Sequence, residues 1–177
     1  GGCATARLLD PKWHGRDRER GVHANRNAFF YVLAREAGGF LSARSSSRQN
    51  WAKDIDTKCR PVLMPNSEPS AEWSRVCPGL AGSSNWMAPS YNPETGWFYF
   101  PVREQCDVYF AAPPVFVEGK AYWGSMFRGQ TEEKEWGLLK ALDPLTRETK
   151  WAFRYSRSPW AGPLARSGGA IFPGVEY

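Results

Sequence analysis

The sequence predicts an all-β fold made of short strands and tight turns. Aromatic residues form 15% of the chain, nine of them Trp, and such side chains favour a pleated, half-buried surface. With 17 Gly and 14 Pro the chain is interrupted too often for long helices, and few segments keep helical periodicity beyond a turn or two. Strand–turn–strand units also recur. "NPETGWFY" (92–99) and "DPLTRETKW" (143–151) each place an Asx-Pro pair before a Thr and then an aromatic strand. Self-similar units of this kind imply radial repetition, as in a β-propeller, although periodicity alone leaves a single β-sandwich open.

The elements follow in order. Val22 and Ala24 alternate with polar neighbours, Asn25 to Asn27 supply a turn, and Phe29 to Leu33 form the returning apolar strand. Gly38-Gly39 makes a second turn into a third strand, "FLSAR". From Ser45 to Ser74 the pattern dissolves into Ser, Pro and charge, an irregular insertion in which "NWAKDID" reads as a short helical or looped interlude. Asn92 to Gly96 forms the next turn, with Trp97 to Phe100 as the strand beyond it. "ALDPLTRETKW" then reads as strand, turn and strand, and Gly168-Gly169 separates two short strands near the end.

The totals bound the function. A chain of 177 residues suits one domain with a real core. The net charge of +5 is dispersed, and the local excess at Arg16 to Arg20 is partly neutralised by Asp17 and Glu19. A nucleic-acid footprint would instead cluster charge with stacking aromatics, so nucleic acid is not an expected partner. No apolar run approaches the roughly 18 residues of a membrane-spanning helix, and no transmembrane segment is expected. The opening "GGCATARLLD" lacks an initiator Met and the features of a signal peptide, and reads like the middle of something longer. Cysteines at 3, 59, 77 and 106 have no zinc-knuckle spacing, while His14 and His23 stand alone, so no metal ligand is assigned.

Five passages carry a resemblance. "HANRNAFFYVLARE", "NWAKDID", "NWMAPSYNPETGWFYF", "GLLKALDPLTRETKW" and "PWAGPLARSGGAIF" resemble, in this order, successive motifs of the pyrroloquinoline quinone (PQQ)-dependent alcohol dehydrogenases. That group includes methanol and ethanol dehydrogenases. The resemblance extends from about Val22 to Phe172 and implies an eight-bladed β-propeller. Its blades are locked by "ALDPxTGxxxW" motifs, and here Arg147 replaces the usual Gly, which costs turn freedom. The family's enzymes are several times longer, so residues 1–177 are expected to be an internal or C-terminal-half fragment of a single propeller, worth about three blades.

The cofactor implied by the resemblance is a flat tricyclic orthoquinone with three carboxylates, which needs stacking surfaces, cations and hydrogen-bond donors. Arg26 matches the Arg or Lys that bonds the quinone oxygens, Asn85 an asparagine at the cofactor, Trp86 its neighbour in the ethanol-oxidising branch, and Trp160 a tryptophan at the pocket. Taken singly, Arg26 also reads as a turn arginine, Asn85 as a turn-capping amide and Trp160 as a core aromatic. The small residues Gly82 to Ser84 would let the backbone approach the cofactor. The resemblance further implies a disulfide between Cys77 and Cys106, at positions matching a pair in methanol dehydrogenase; two free buried thiols are the alternative. Cys3 and Cys59 have no assigned partner, and Cys3 stands where relatives carry an acidic pattern.

The family's catalytic aspartate and the ligands of its calcium or lanthanide lie in parts of the sequence not matched here, so no catalytic or metal residue is assigned. The function implied is oxidation of a small primary alcohol to an aldehyde by a bacterial periplasmic enzyme, with electrons passing to a cytochrome c. This chain alone is expected to be inactive. Two other readings are a non-catalytic propeller scaffold of the same repeat family and, more weakly, a carbohydrate-binding β domain favoured only by the abundance of Trp and Tyr.

Overall fold

The structure, a computed structural model, describes residues 6–9, 20–113, 115–122, 126–129 and 134–174, and the backbone alone of 12–13 and 16–17. These residues form no helix. The strands are β1 (Arg7–Leu9), β2 (Lys12–Trp13), β3 (Arg16–Asp17), β4 (Arg20–Ala24), β5 (Phe29–Ala34), β6 (Phe40–Ser45), β7 (Ala52–Ile55), β8 (Pro61–Leu63) and β9 (Ser74–Val76). They continue with β10 (Ser90–Asn92), β11 (Trp97–Glu104), β12 (Asp107–Phe110), β13 (Met126–Gly129), β14 (Trp136–Leu142), β15 (Thr149–Tyr155), β16 (Pro163–Ala165) and β17 (Ile171–Pro173).

Two antiparallel four-stranded sheets dominate, ordered β1-β4-β5-β6 and β10-β11-β14-β15. They pack face to face. Alternation along β4 and β5 turns Val22, Ala24, Phe30 and Val32 to one side, where with Leu9 they meet Phe98, Phe100, Val102 and Leu142 of the second sheet. Phe30 sits 5.4 Å from Phe98 and 6.0 Å from Phe100, centroid to centroid. All these side chains are buried, and each large one contributes about 1.5–3 kcal/mol by leaving water. The arrangement is two neighbouring blades of a partial propeller. A third unit is represented by the β16–β17 hairpin, which packs on β10 and β11. Asn92 Nδ2 donates to the Arg166 carbonyl at 3.0 Å and ties the hairpin down.

The other face of the first sheet carries Phe29 and Tyr31, covered by Trp51, Ala52 and Ile55. "NWAKDID" therefore contributes a strand, β7, and not a helical or looped interlude. A register shift between Ala52 and Asp54 turns both Ala52 and Ile55 inward, and that spacing of three imitates a helical period. The excursion between the two sheets runs on to residue 89, beyond the expected limit at Ser74, because β9 leaves to pair with β12 in a separate three-stranded sheet.

The two self-similar turns share one device. Asn92 Oδ1 accepts from the Glu94 N–H and Asp143 Oδ1 from the Leu145 N–H, each at 2.8 Å. Four residues after each Asx, Gly96 (φ 70°) and Arg147 (φ 63°) occupy the same left-handed position. Each donates its N–H to the Asx carbonyl, at 2.9 and 2.7 Å.

Candidate functional site

One loop, from Cys77 to Trp86, gathers the sequence-predicted residues. Its start is clamped from three directions. Cys77 is disulfide-bonded to Cys106 with the Cα atoms 4.4 Å apart, within the expected range. Asn50 brackets Cys77, its Oδ1 accepting the Cys77 N–H at 2.8 Å while its own N–H donates to the Cys77 carbonyl at 3.3 Å. Buried Asp107 accepts the Leu80 N–H at 2.6 Å, and a Cβ on Gly79 would stand 2.5 Å from the same carboxylate oxygen.

Arg26 lies in the turn between β4 and β5, where Asn25 and Asn27 side chains cap backbone N–H groups. Its Nη2 donates to the Leu80 carbonyl, and its own carbonyl accepts the Ser83 N–H at 2.9 Å. Beside it opens a cleft of about 400 Å³ lined by Asn25, Arg26, Asn27, Trp51, Pro78 and Gly82, among others. The small residues of the loop serve packing within the protein. Gly82 abuts the Arg26 side chain, Ser83 and Ser84 are buried, and Ser47 Oγ donates to Ser83 Oγ at 2.5 Å.

Asn85 is 5% exposed. Its Nδ2 donates to the Ala81 carbonyl at 2.9 Å, and its Oδ1 is buried with no partner among the described residues. A buried polar atom left unpaired is costly, and it fits a site completed by a ligand donor. Trp86, 49% exposed, stacks on Trp160 with ring centroids 5.1 Å apart and planes inclined by 29°. Trp160 is thus not a core aromatic: it remains 36% exposed. The structure links Arg26 to the loop directly, carries that loop through Asn85, and brings Trp160 against its end.

The sequence reading passed over Arg103. It sits 2% exposed in β11 with its Cζ 3.6 Å from the Trp160 ring centroid. Burial pulls its pKa below the ordinary guanidinium range, opposed by Glu135 and Asp107. The signal was a charged pair, Arg103-Glu104, ending an otherwise aromatic strand. Cys59 is a free exposed thiol, while Cys3 and His14 lie outside the described residues. Among the described residues, no group of three or more His, Cys, Asp or Glu side chains is placed to hold a metal ion.

No protein-family model matches the chain. Individual proteins do. The chain is 33% identical over 165 residues to the quinoprotein alcohol dehydrogenase PedE of Pseudomonas putida, covering 87% of this chain and 26% of that protein. It is 30% identical over 183 residues to the lanthanide-dependent methanol dehydrogenase of Methylorubrum extorquens, covering 95% of this chain and 30% of the relative. Among solved structures, a europium-containing methanol dehydrogenase superposes with a TM-score of 0.87 at 27% identity, over 96% of this chain and 31% of that one. The quinohemoprotein alcohol dehydrogenase of Comamonas testosteroni gives 0.85 at 28% identity, over 96% and 27%. The chain thus spans between a quarter and a third of the length of these relatives. Over most of its length the chain is thus similar, in sequence and in fold, to the quinoprotein alcohol and methanol dehydrogenases.

Proposed function

We propose that this chain forms part of a single-propeller, PQQ-dependent quinoprotein dehydrogenase of the bacterial periplasm. The enzyme oxidises small primary alcohols to aldehydes and hands the electrons to a cytochrome c. The observation that carries the reading is the buried, unpartnered Oδ1 of Asn85, set in the loop that Arg26 grips and that ends in an exposed indole stack.

These residues fit a flat polyanionic ring system. Arg26 donates one N–H to Leu80 and keeps the rest of its fork for carboxylate or quinone oxygens. Asn85 Oδ1 would accept an N–H or O–H from the ligand, since the amide nitrogen is committed to the Ala81 carbonyl. Trp86 and Trp160 supply apolar flat surface at the same edge and exclude water from it. When bound, the quinone supplies the two-electron acceptor for hydride from the alcohol carbon. The proton-accepting carboxylate and the ligands for calcium or a lanthanide are assigned to other parts of the enzyme.

The test is dye-linked alcohol oxidation by the protein that carries this segment, supplied with PQQ and calcium or a lanthanide. Arg26→Ala should lower turnover on the order of ten- to a thousandfold, as when one donor to a developing oxyanion is removed. Unchanged turnover would overturn the assignment.

A further inference from the structure

A fully buried arginine normally satisfies its guanidinium with carboxylates or carbonyls. Arg103 does so on one nitrogen only. Nη2 donates to Gln105 Oε1 at 2.9 Å and to Glu135 Oε2 at 3.2 Å, whereas Nε and Nη1 are buried without a partner among the described residues. What occupies the space is the Trp160 ring, its centroid 3.6 Å from Cζ. Trp160 in turn meets Trp86, the residue after Asn85. The buried cation, one indole and the next thus form a chain of contacts that ends at the site loop.

From this we infer that Arg103 is a positioning residue: its guanidinium, held through Nη2 by Gln105 and Glu135, fixes Trp160 so that the Trp86–Trp160 pair stands preformed as one wall of the site. A planar guanidinium suits this role because it stacks on an aromatic face and remains charged, while an ammonium is a hydrated point charge that cannot match the ring. Trp160 also arrives on a turn that cannot shift freely. A Cβ on Gly162 would stand 2.1 Å from the Ala88 carbonyl oxygen, and one on Gly137 would stand 2.1 Å from Pro159 Cδ. The backbone thus sets where Trp160 sits, and Arg103 sets how its ring is turned. The wall's role toward the quinone rests on the function proposed above; the geometry of the indole pair does not.

Two readouts separate these claims. The first is the far-ultraviolet exciton couplet of the stacked indoles, identified as the dichroism lost in Trp86→Phe. The second is the affinity for PQQ, titrated directly. Arg103→Lys retains a charge opposite Glu135 and should lose most of the couplet and bind PQQ about tenfold more weakly. Glu135→Gln changes a residue that is 46% exposed, spares the fold, and should weaken the couplet less. A full couplet in folded Arg103→Lys would overturn the inference, as would a full couplet in Arg103→Met should the lysine variant fail to fold. Loss of the couplet with unchanged PQQ affinity would uphold the positioning of the indoles and count against their place at the quinone.

Discussion

The α-carbon of Gly82 is pressed against the side chain of Arg26: a Cβ built there would stand 2.7 Å from Arg26 Cβ and 3.0 Å from Arg26 Cα. The backbone at Gly82 is also left-handed, with φ 75°. A methyl group would therefore meet steric strain in its own residue and a neighbour whose backbone cannot retreat. Gly82→Ala should destabilise the chain by about 2–3 kcal/mol, the sum of a left-handed penalty and modest overpacking. Urea unfolding measures the loss. Because Arg26 must yield, PQQ affinity should fall as well, and a variant with wild-type stability and affinity would show that the two residues are not in contact.

The Cys77–Cys106 bond closes a loop with a sequence separation of 29. Constraining a loop of that length in the unfolded chain corresponds to about 3–4 kcal/mol. The double substitution Cys77→Ser/Cys106→Ser should lower stability by that order. Reductant should reproduce the effect in the wild type and do nothing further to the variant. A wild type indifferent to reductant in a thermal melt would mean that the bond is absent or contributes nothing.

How far the sequence could be read depended on whether each residue's signal was local. The turns at Asn25, Asn92 and Asp143 were legible because Asx side chains cap their own backbone within two or three residues. The alternation of Val22, Ala24, Phe30 and Val32 was legible because one face of that sheet meets one neighbour. Strand β7 was misread because its bulge sets Ala52 and Ile55 at a helix-like spacing. Strands β12 and β13 went unseen because neither inherits the period of the blades: they pair with each other outside them, and β12 also pairs with β9. At the site, Arg26, Asn85, Trp86 and Trp160 came from a resemblance and not from periodicity. Arg103 was hidden since the charged pair that ends its strand gives no sign of the ring, 57 positions away, through which it acts.

Arg147 and Gly96 hold the same place in twin turns, both at positive φ, but only Gly adopts that region without cost. Arg147 uses its backbone there: its N–H donates to the Asp143 carbonyl at 2.7 Å and its carbonyl accepts from Arg44 Nη1 at 3.4 Å. Neither contact needs the Arg147 side chain. Arg147→Gly should therefore raise stability by about 1 kcal/mol, the relief of left-handed strain less the entropy of a freer unfolded chain. The melting temperature should rise, and a fall would show that the arginine side chain contributes a contact of its own.

Glu104 and Lys140 clamp the segment that carries Ser47 to the site loop, and their titration gives the fold a pH dependence. Both Glu104 carboxylate oxygens accept the Arg48 N–H at 3.2 Å, and Lys140 Nζ donates to the Ser46 carbonyl. Burial raises the Glu104 pKa, opposed by the Arg48 N–H and by the charges of Lys140 and Arg48. Burial also lowers that of Lys140, opposed by Glu104. For a carboxyl raised in the folded state, the unfolded chain releases its proton first as pH rises. Stability is therefore unaffected below the ordinary Glu value, falls between that value and the raised one, and stays lower above it. Lys140 acts with the opposite sign, since stability returns as pH climbs through its lowered value. Glu104→Gln keeps an acceptor for Arg48 and removes the first effect. Urea midpoints of wild type and variant, taken from about pH 4 upward through neutrality, should diverge in the variant's favour as pH rises. Parallel curves across that window would mean that Glu104 is as well solvated in the folded chain as in the unfolded one.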